Sequence, residues 1–252
     1  MADIERQALR QAAEAKVWIF DLDNTLYPAH CNLFDQIDRR MGTFIQNFLG
    51  IDAAEARALQ KQYFRAHGTT MRGLMTHHGM DPHDFLEFVH DIDLSVLPAA
   101  HVLDEALSRL PGRKIIFTNG SVRHAERITA HMGIDRHFEA IFDIVASDFV
   151  PKPDAGPYRT IVAQHGIDPA RAVMVEDIVR NLEPAAAMGM ITVLVRPPDA
   201  GADAGAEAPP DYVQHLVHDL PDWLHQVSDT LPAPGPAPGP APGPAPGPAQ
   251  GA

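Results

Sequence analysis

The chain has 252 residues, of which 45% are hydrophobic, and a formal net charge of −13. This length and composition fit one globular domain with an insertion, or two small domains. The acidic balance and the lack of a basic stripe argue against a nucleic-acid polymer as partner, and no apolar run approaches membrane-spanning length. Cys31 is the single cysteine, so a disulfide framework is excluded and a reducing, cytoplasmic setting is expected.

The hydrophobic periodicity predicts helices and strands that alternate along most of the chain. Predicted helices cover about residues 4–15, 32–48, 52–66, 69–78, 82–89, 99–110, 121–132, 157–165, 182–188 and 221–227. Predicted strands cover about residues 17–20, 114–117, 141–146, 172–175, 191–195 and 212–217. This alternation predicts an α/β fold with a doubly wound parallel sheet. Asn32, Asp52 and Ser121 stand where N-terminal helix caps are expected.

The predicted domains are an α/β core, residues 1–28 and 99–231, a helical insert, residues 29–98, and a tail, residues 232–252. The insert is predicted because helices follow one another between the first two strands. In the tail, proline at every second position excludes helices and sheet interiors, so disorder is expected. Residues 197–210 have no periodicity and are expected to form a mobile surface loop.

Two aspartates follow the first predicted strand, residues 17–20. Because residues two apart in an extended segment point the same way, Asp21 and Asp23 can both face the carboxyl end of the sheet, where open α/β sheets bind ligands. Two close carboxylates repel each other, and a hard divalent cation such as Mg²⁺ offsets that repulsion. An Asp/Asn turn after a strand explains these residues equally well.

Polar groups also follow the second strand, as Thr118-Asn119-Gly120. The Thr118 hydroxyl and the backbone N–H groups of Asn119 and Gly120 are suited to bind a phosphate. The same residues make a good strand-to-helix turn. By itself, this stretch favours the turn.

Two further stretches carry charged residues at the predicted sheet edge. Lys152 lies between two prolines, which restrict the backbone around a cation suited to a phosphoryl oxygen. Glu176 and Asp177 end the fourth strand and can form a second half of a metal site. A solvated loop lysine and an acidic pair at a helix N-terminus are the alternatives.

These stretches, D-L-D-N-T, T-N-G-S, P-K-P and V-E-D, follow one another in an order that resembles the haloacid dehalogenase superfamily of phosphohydrolases. The resemblance implies a Rossmann-like core with a helical cap inserted over the active site. It also implies magnesium-dependent hydrolysis of a small phosphorylated metabolite through an aspartyl-phosphate. By position, Asp21 is then the nucleophile and Asp23 the general acid/base.

The resemblance assigns the remaining candidates as well. Thr118, Asn119 and Lys152 are expected to bind the phosphate. Asp177 is expected to bind Mg²⁺ directly and Glu176 through water, with Asp21 and the backbone carbonyl of Asp23 completing the protein ligands. The presence of Asp23 favours phosphate ester hydrolysis, because a dehalogenase has no leaving oxygen to protonate.

A finer resemblance is to the pyrimidine 5′-nucleotidase branch. It rests on F-D-L-D-N-T-L-Y-P, H-G-T-T-M-R-G-L, F-T-N-G-S-x-x-H-A and E-D-x-x-x-N-L-x-x-A. It implies UMP or CMP as the substrate, and Arg72 as a residue for substrate contact or cap closure, although a solvated helix arginine is an equal alternative. Ile178 stands where this family often has Ser.

Three other functions fit the same motifs. The first is a phosphatase for another metabolite, such as phosphoglycolate or a sugar phosphate. The second is a phosphate-accepting signalling domain, which would be shorter and without an inserted cap. The third is a catalytically silent binding protein, against which the intact motif residues Asp21, Asp23, Lys152 and Asp177 argue.

Overall fold

The structure is a computed structural model that describes residues 2–196 and 208–231. The proline-rich tail lies outside these ranges, as does most of the loop expected at 197–210. Within the described ranges, helices of the length and hydrophobicity needed to span a bilayer do not occur.

The elements follow one another in the predicted order. The helices are α1 Ala2–Ala13, α2 Leu33–Leu49, α3 Ala53–His67, α4 Thr70–His78, α5 Pro82–Val89, α6 His101–Arg109, α7 Val122–Met132, α8 Ala155–His165, α9 Val179–Ala187 and α10 Leu220–Asp229. The strands are β1 Val17–Phe20, β2 Arg113–Phe117, β3 Ala140–Phe142, β4 Ala172–Glu176, β5 Ile191–Val195 and β6 His215–Val217.

The six strands form one parallel sheet in the order β3-β2-β1-β4-β5-β6. This confirms the predicted α/β class with a doubly wound parallel sheet. The strand order reverses between β1 and β4, and ligands bind at such a switch point, beyond the carboxyl ends of the strands. The residues that follow β1, β2 and β4 therefore occupy the position where a site is expected.

Alternate residues of β1 pack into two hydrophobic layers. Trp18 and Phe20 face one layer, which includes side chains from α6, α7 and α10. Val17 and Ile19 face the other, against α8 and α9. All four side chains are buried, which explains why the strand is a continuous apolar run.

The helical insert consists of α2 to α5, and its helix ends carry the expected caps. Asp52 forms a capping box with Glu55 at the start of α3, and Thr69 and Asp81 cap the next two helices. Helices α3 and α4 approach closely at Gly73, where a Cβ atom would lie 2.3 Å from Cγ of Tyr63. Gly73 therefore sets the packing of the insert.

Some predicted boundaries were wrong. β3 ends at Phe142 rather than near residue 146, because the Asp143 carboxylate accepts N–H bonds from Val122 and Ala146 and closes a turn there. Asn32 does precede α2, but it adopts a left-handed conformation and its side chain caps nothing. Helices α8 and α9 begin earlier than predicted, and Asp154 caps the first of them.

Candidate functional site

The strand register brings the predicted residues together. Phe20 of β1 pairs with Ile116 of β2 and Val175 of β4, so the next residues, Asp21 and Glu176, emerge side by side. The Asp21 N–H continues the ladder by donating to the Val175 carbonyl at 2.9 Å. The carboxyl ends of three neighbouring strands thus form one polar edge.

Lys152 is the buried cation of this edge. Its Nζ donates to Asp21 Oδ1 at 2.6 Å, to Glu176 Oε1 at 2.8 Å and to the Phe117 carbonyl at 2.9 Å. Its side chain is only 1% exposed. Burial alone would lower the pKa of Lys152, but the two carboxylates outweigh burial and raise it above its ordinary value.

Asn119 holds the backbone of Lys152 in place. Asn119 Oδ1 accepts the Lys152 N–H at 2.9 Å, and Asn119 Nδ2 donates to the Lys152 carbonyl at 3.4 Å. The side-chain amide of Asn119 is therefore engaged with the loop that carries the lysine, whereas the expected phosphate contact is from its backbone N–H. Thr118 is buried, and its Oγ1 accepts the Gly120 N–H at 2.9 Å. The expectation that the Gly120 N–H is free for phosphate was wrong.

Glu176 is fully engaged. Oε1 accepts from Lys152 and from Asn181 Nδ2 at 2.6 Å, and Oε2 accepts the Ile178 N–H at 2.6 Å. Glu176 therefore fixes the positions of Lys152, Asn181 and the backbone at Ile178.

Asp21, Glu176 and Asp177 offer carboxylate oxygens that all lie within 4.8 Å of one another. Burial, opposed by Lys152 and reinforced by Glu176 and Asp23, raises the pKa of Asp21 to about 7. Burial and the charges of Glu176 and Asp21 raise the pKa of Asp177 to about 9. The single positive charge of Lys152 therefore does not balance the negative charges that these three carboxylates carry when ionised.

Asp23 has different surroundings. Its Oδ1 accepts from the Tyr27 hydroxyl at 2.6 Å and from His124 Nε2 at 2.9 Å. Burial would raise the pKa of Asp23, but His124 and Tyr27 outweigh burial and lower it to about 2. The ring of His90 stacks on His124, with centroids 4.0 Å apart, and burial lowers the pKa of His90 to about 3.

A cavity of about 350 Å³ lies between this edge and the helical insert. Every predicted site residue except Arg72 lines it. Its walls also carry the exposed apolar side chains Phe34, Phe64 and Ile178. The guanidinium of Arg180 lies 4.7 Å from the centre of the Phe64 ring, so core and insert meet across the cavity.

Arg72 lies outside the cavity. Its Nη1 is 3.9 Å from Asp154 Oδ2, and both side chains are exposed. The pair joins the insert to the core. The structure therefore places Arg72 at the boundary between core and insert and not beside the carboxylates.

Sequence reasoning missed His124, Tyr27, His90 and Asn181. Tyr27, His124 and Asn181 do stand within the stretches F-D-L-D-N-T-L-Y-P, F-T-N-G-S-x-x-H-A and E-D-x-x-x-N-L-x-x-A, so the sequence contained a signal for all three. His90 has no such signal, because its position depends on how the insert packs against α7.

Comparisons with known proteins agree with this geometry. Residues 15–189 match the family model for haloacid dehalogenase-like hydrolases. Phosphate metabolism protein 8 of Saccharomyces cerevisiae is 30% identical over 193 residues, which cover 69% of this chain and 60% of that protein. Enolase-phosphatase E1 of Sorangium cellulosum is 34% identical over 92 residues, which cover 35% of this chain and 38% of that protein.

Among solved structures, the L-2-haloacid dehalogenase of Xanthobacter autotrophicus with chloropropionic acid covalently bound has a TM-score of 0.54 and 17% identity. That similarity covers 84% of this chain and 98% of the dehalogenase, and at this identity it shows the fold alone. The matches to the two sequence relatives span less than two thirds of their lengths. The family match spans most of the chain, and this chain belongs to the haloacid dehalogenase-like hydrolase family.

Proposed function

We propose that this chain is a phosphomonoester hydrolase that forms an aspartyl-phosphate on Asp21. The observation that carries the proposal is the geometry of the cavity edge, where Asp21 and Asp23 stand beside Lys152 and the carboxylates of Glu176 and Asp177. Two carboxyl groups held in contrasting environments are suited to separate roles as nucleophile and as acid/base. Haloalkane chemistry has no leaving oxygen to protonate, so Asp23 favours a phosphate ester over a haloacid.

The donor set fits a hard divalent cation. Three carboxylates converge within 4.8 Å, and the raised pKa values of Asp21 and Asp177 reflect a shortage of positive charge. Oxygen-rich, anionic sites of this kind are typical of magnesium. We propose that Asp21, Asp177 and the Asp23 backbone carbonyl hold Mg²⁺, with Glu176 acting through water. Bound Mg²⁺ would supply charge that keeps the carboxylates ionised and offsets the phosphoryl oxygens.

Each residue of the site then has a separate role in the reaction. A carboxylate oxygen of Asp21 attacks phosphorus, forming an O–P bond as the ester P–O bond breaks. Asp23 gives its proton to the leaving oxygen, and later takes a proton from the water that attacks the aspartyl-phosphate. Breaking of the Asp21–phosphorus bond releases phosphate. Lys152 and the Thr118 hydroxyl stabilise charge on the phosphoryl oxygens.

The helical insert, residues 29–98, acts as the cap in this proposal, over a core of residues 1–28 and 99–231. Residues of both regions line the cavity. Closing such a cavity excludes water other than the attacking molecule. A volume of about 350 Å³ suits a small metabolite and not a polymer.

We propose a pyrimidine nucleoside monophosphate as the substrate, with UMP and CMP as the first candidates. The four stretches that resemble the nucleotidase branch support this, and so do the exposed rings of Phe34 and Phe64 on the cavity wall. A second candidate is another small phosphate ester. The similarity to a protein named Enolase-phosphatase E1 and the cation of Arg180 on the wall favour that alternative.

A substrate panel tests the proposal. Phosphate release is measured from UMP, CMP, AMP, GMP, phosphoglycolate and glucose 6-phosphate with Mg²⁺ and again with EDTA. We expect turnover that requires Mg²⁺ and favours UMP and CMP. Turnover restricted to the other esters would keep the chemistry and reject the nucleotide, whereas no turnover at all would favour the signalling or silent alternatives.

The Asp21→Asn variant tests the nucleophile. Because the amide cannot form the covalent intermediate, kcat is expected to fall at least about a thousandfold. The variant is expected to fold, since it removes a carboxylate from a group with too few cations. The exposed Asp211 provides the matched control, Asp211→Asn, with unchanged kcat. Retained activity in Asp21→Asn would rule out the assigned nucleophile.

A further inference from the structure

The carboxylate of Asp23 is bonded on one side only. Both of its donors, the Tyr27 hydroxyl and His124 Nε2, reach Oδ1, at 2.6 Å and 2.9 Å. Oδ2 accepts no hydrogen bond from the described residues. Since Asp23 lines the cavity, Oδ2 is the oxygen available to a bound ester.

His124 is held so that it can keep this bond. It lies in the first turn of α7, and its side chain is 1% exposed. On one side its Cδ2 lies 3.1 Å from where a Cβ of Gly120 would stand, so the ring packs closely against that glycine. On the other side the His90 ring stacks on it, 10° from parallel.

His90 is itself fixed from two directions. Its Nδ1 lies 3.1 Å from Ser121 Oγ, and its carbonyl accepts from Arg127 Nη1 at 2.7 Å. Arg127 Nη2 also donates to the Ile92 carbonyl at 3.2 Å. The end of the helical insert is thereby bound to α7, and His90 covers His124.

We propose that His124 and Tyr27 are positioning residues for the acid/base step, which keep the transferable proton of Asp23 on Oδ2. Oδ1 with two donors has no favourable place for a proton, because a hydroxyl there would face N–H and O–H groups. With the Nε2–H tautomer of His124, the proton is therefore favoured on the oxygen without a donor. His124 does not line the cavity and acts through Asp23. The inference rests on the proposed function and deepens it.

Leaving-group dependence separates positioning from a structural role. Nitrophenolate leaves without a proton, whereas an alkoxide needs the proton of Asp23. The value of kcat/KM reports the steps up to enzyme phosphorylation, in which that proton is used. It is measured for p-nitrophenyl phosphate and for the panel ester that the wild type hydrolyses fastest, which is an alkyl phosphate.

The variants are His124→Leu, His124→Gln and Tyr27→Phe. Glutamine places an amide N–H near the position of Nε2, so it can restore the bond to Oδ1. The matched control is His131→Gln, at an exposed histidine of the same helix. Melting temperatures are compared for all variants, and Tyr27→Phe, which removes one hydroxyl, provides the test if His124→Leu does not fold.

For His124→Leu we expect kcat/KM on the alkyl ester to fall about ten- to a hundredfold, which is at or below the lower end of acid/base contributions because Asp23 itself remains. On p-nitrophenyl phosphate the fall is expected to stay below about threefold. His124→Gln restores most of the loss, Tyr27→Phe shows a smaller split of the same sign, and His131→Gln matches the wild type.

Equal losses on both esters, or no loss on either, would overturn the inference and leave the phosphatase intact. A wild type that releases phosphate from no ester would instead overturn the proposed function, and the inference with it.

Discussion

Asp21 and Asp23 stand two residues apart at the end of one strand, yet their surroundings move their pKa values in opposite directions. Asp21 shares a buried group with Glu176 and Asp177, for which Lys152 is the bonded cation, and its pKa is raised to about 7. Asp23 accepts two donors, and its pKa is lowered to about 2. Burial acts in the same direction on both, so the neighbouring groups decide the outcome.

The opposite pKa shifts of Asp21 and Asp23 bear on the proton transfers of the proposed reaction. With these pKa values Asp21 holds a proton more readily than Asp23, although attack needs Asp21 ionised and departure needs Asp23 protonated. A divalent cation beside Asp21 would lower its pKa, and a phosphate dianion beside Asp23 would raise its pKa. Binding of the ion and the substrate would therefore favour an ionised Asp21 and a protonated Asp23, as the proposed reaction requires.

The largest expected effect comes from removing the cation on the Asp21 side. Lys152→Met leaves the buried carboxylates of Asp21 and Glu176 without their bonded cation. Breaking a buried ion pair in this way costs about 3–5 kcal/mol of unfolding free energy. Urea denaturation with EDTA present measures the change.

Lys114→Met is the matched control for Lys152→Met. Lys114 is also buried, but its Nζ donates to the carbonyls of Leu110 and Gly112 and to no carboxylate. Burial lowers the pKa of Lys114, and loss of its bonds to the two carbonyls should cost about 1.5–3 kcal/mol, less than the loss at Lys152. Equal destabilisation by the two substitutions would show that lost packing, and not the carboxylates, accounts for the effect.

The pH dependence of the unfolding free energy tests the opposite pKa shifts of Asp21 and Asp23 directly. An unfolded Asp has a pKa of about 3.9. Because the folded pKa of Asp21 is raised to about 7, the folded state binds more protons between about pH 4 and pH 7, and this group lowers stability as pH rises through that window. Asp177, with its pKa raised to about 9, acts with the same sign.

Asp23 acts with the opposite sign. Its folded pKa of about 2 lies below the unfolded value, so its stabilising contribution is present above about pH 4 and is lost as pH falls toward 2. Unfolding free energies measured against pH with EDTA should show a smaller decline from pH 4 to 7 in Asp21→Asn. Asp23→Asn should show a smaller loss below about pH 4. Identical pH profiles of the unfolding free energy in Asp21→Asn and Asp23→Asn would contradict the opposite pKa shifts of the two aspartates.

The sequence predicted the Asp21 side of the site well. Each of its residues follows an apolar run or lies between prolines, and parallel strands bring such ends together at one edge. The sheet and most helices were predictable because apolar residues recur with the periods of strands and helices. The convergence of Asp21, Lys152, Glu176 and Asp177 at one edge could therefore be predicted from the sequence.

The Asp23 side was less predictable, because its partners come from packing between elements. His124 lies on a helix that follows another strand, and His90 reaches it from the helical insert. No spacing in the sequence fixes how a helical insert sits on a sheet. The bonds of Asn119 to Lys152 and of Gly120 to Thr118 could not be predicted, because they depend on loop conformation.

Arg72 is expected to show the smallest effect, because it belongs to neither aspartate's surroundings. Its side chain is 41% exposed, and its partner Asp154 is 46% exposed at 3.9 Å. Exposed ion pairs contribute about 0–1 kcal/mol and are screened by salt. Arg72→Ala should therefore change the unfolding free energy by less than about 1 kcal/mol.

Kinetics decide whether Arg72 has a further role. Arg180→Ala is the matched comparison, because the Arg180 guanidinium lies over Phe64 on the cavity wall. We expect Arg72→Ala to change kcat/KM by less than Arg180→Ala does, since a side chain outside the cavity contributes only through the position of the insert. A larger loss in Arg72→Ala would show that the insert moves when substrate binds and carries Arg72 into the site. The proton arrangement at Asp21 and Asp23 would then depend on Arg72 as well as on Lys152, although Arg72 pairs with Asp154 outside the cavity.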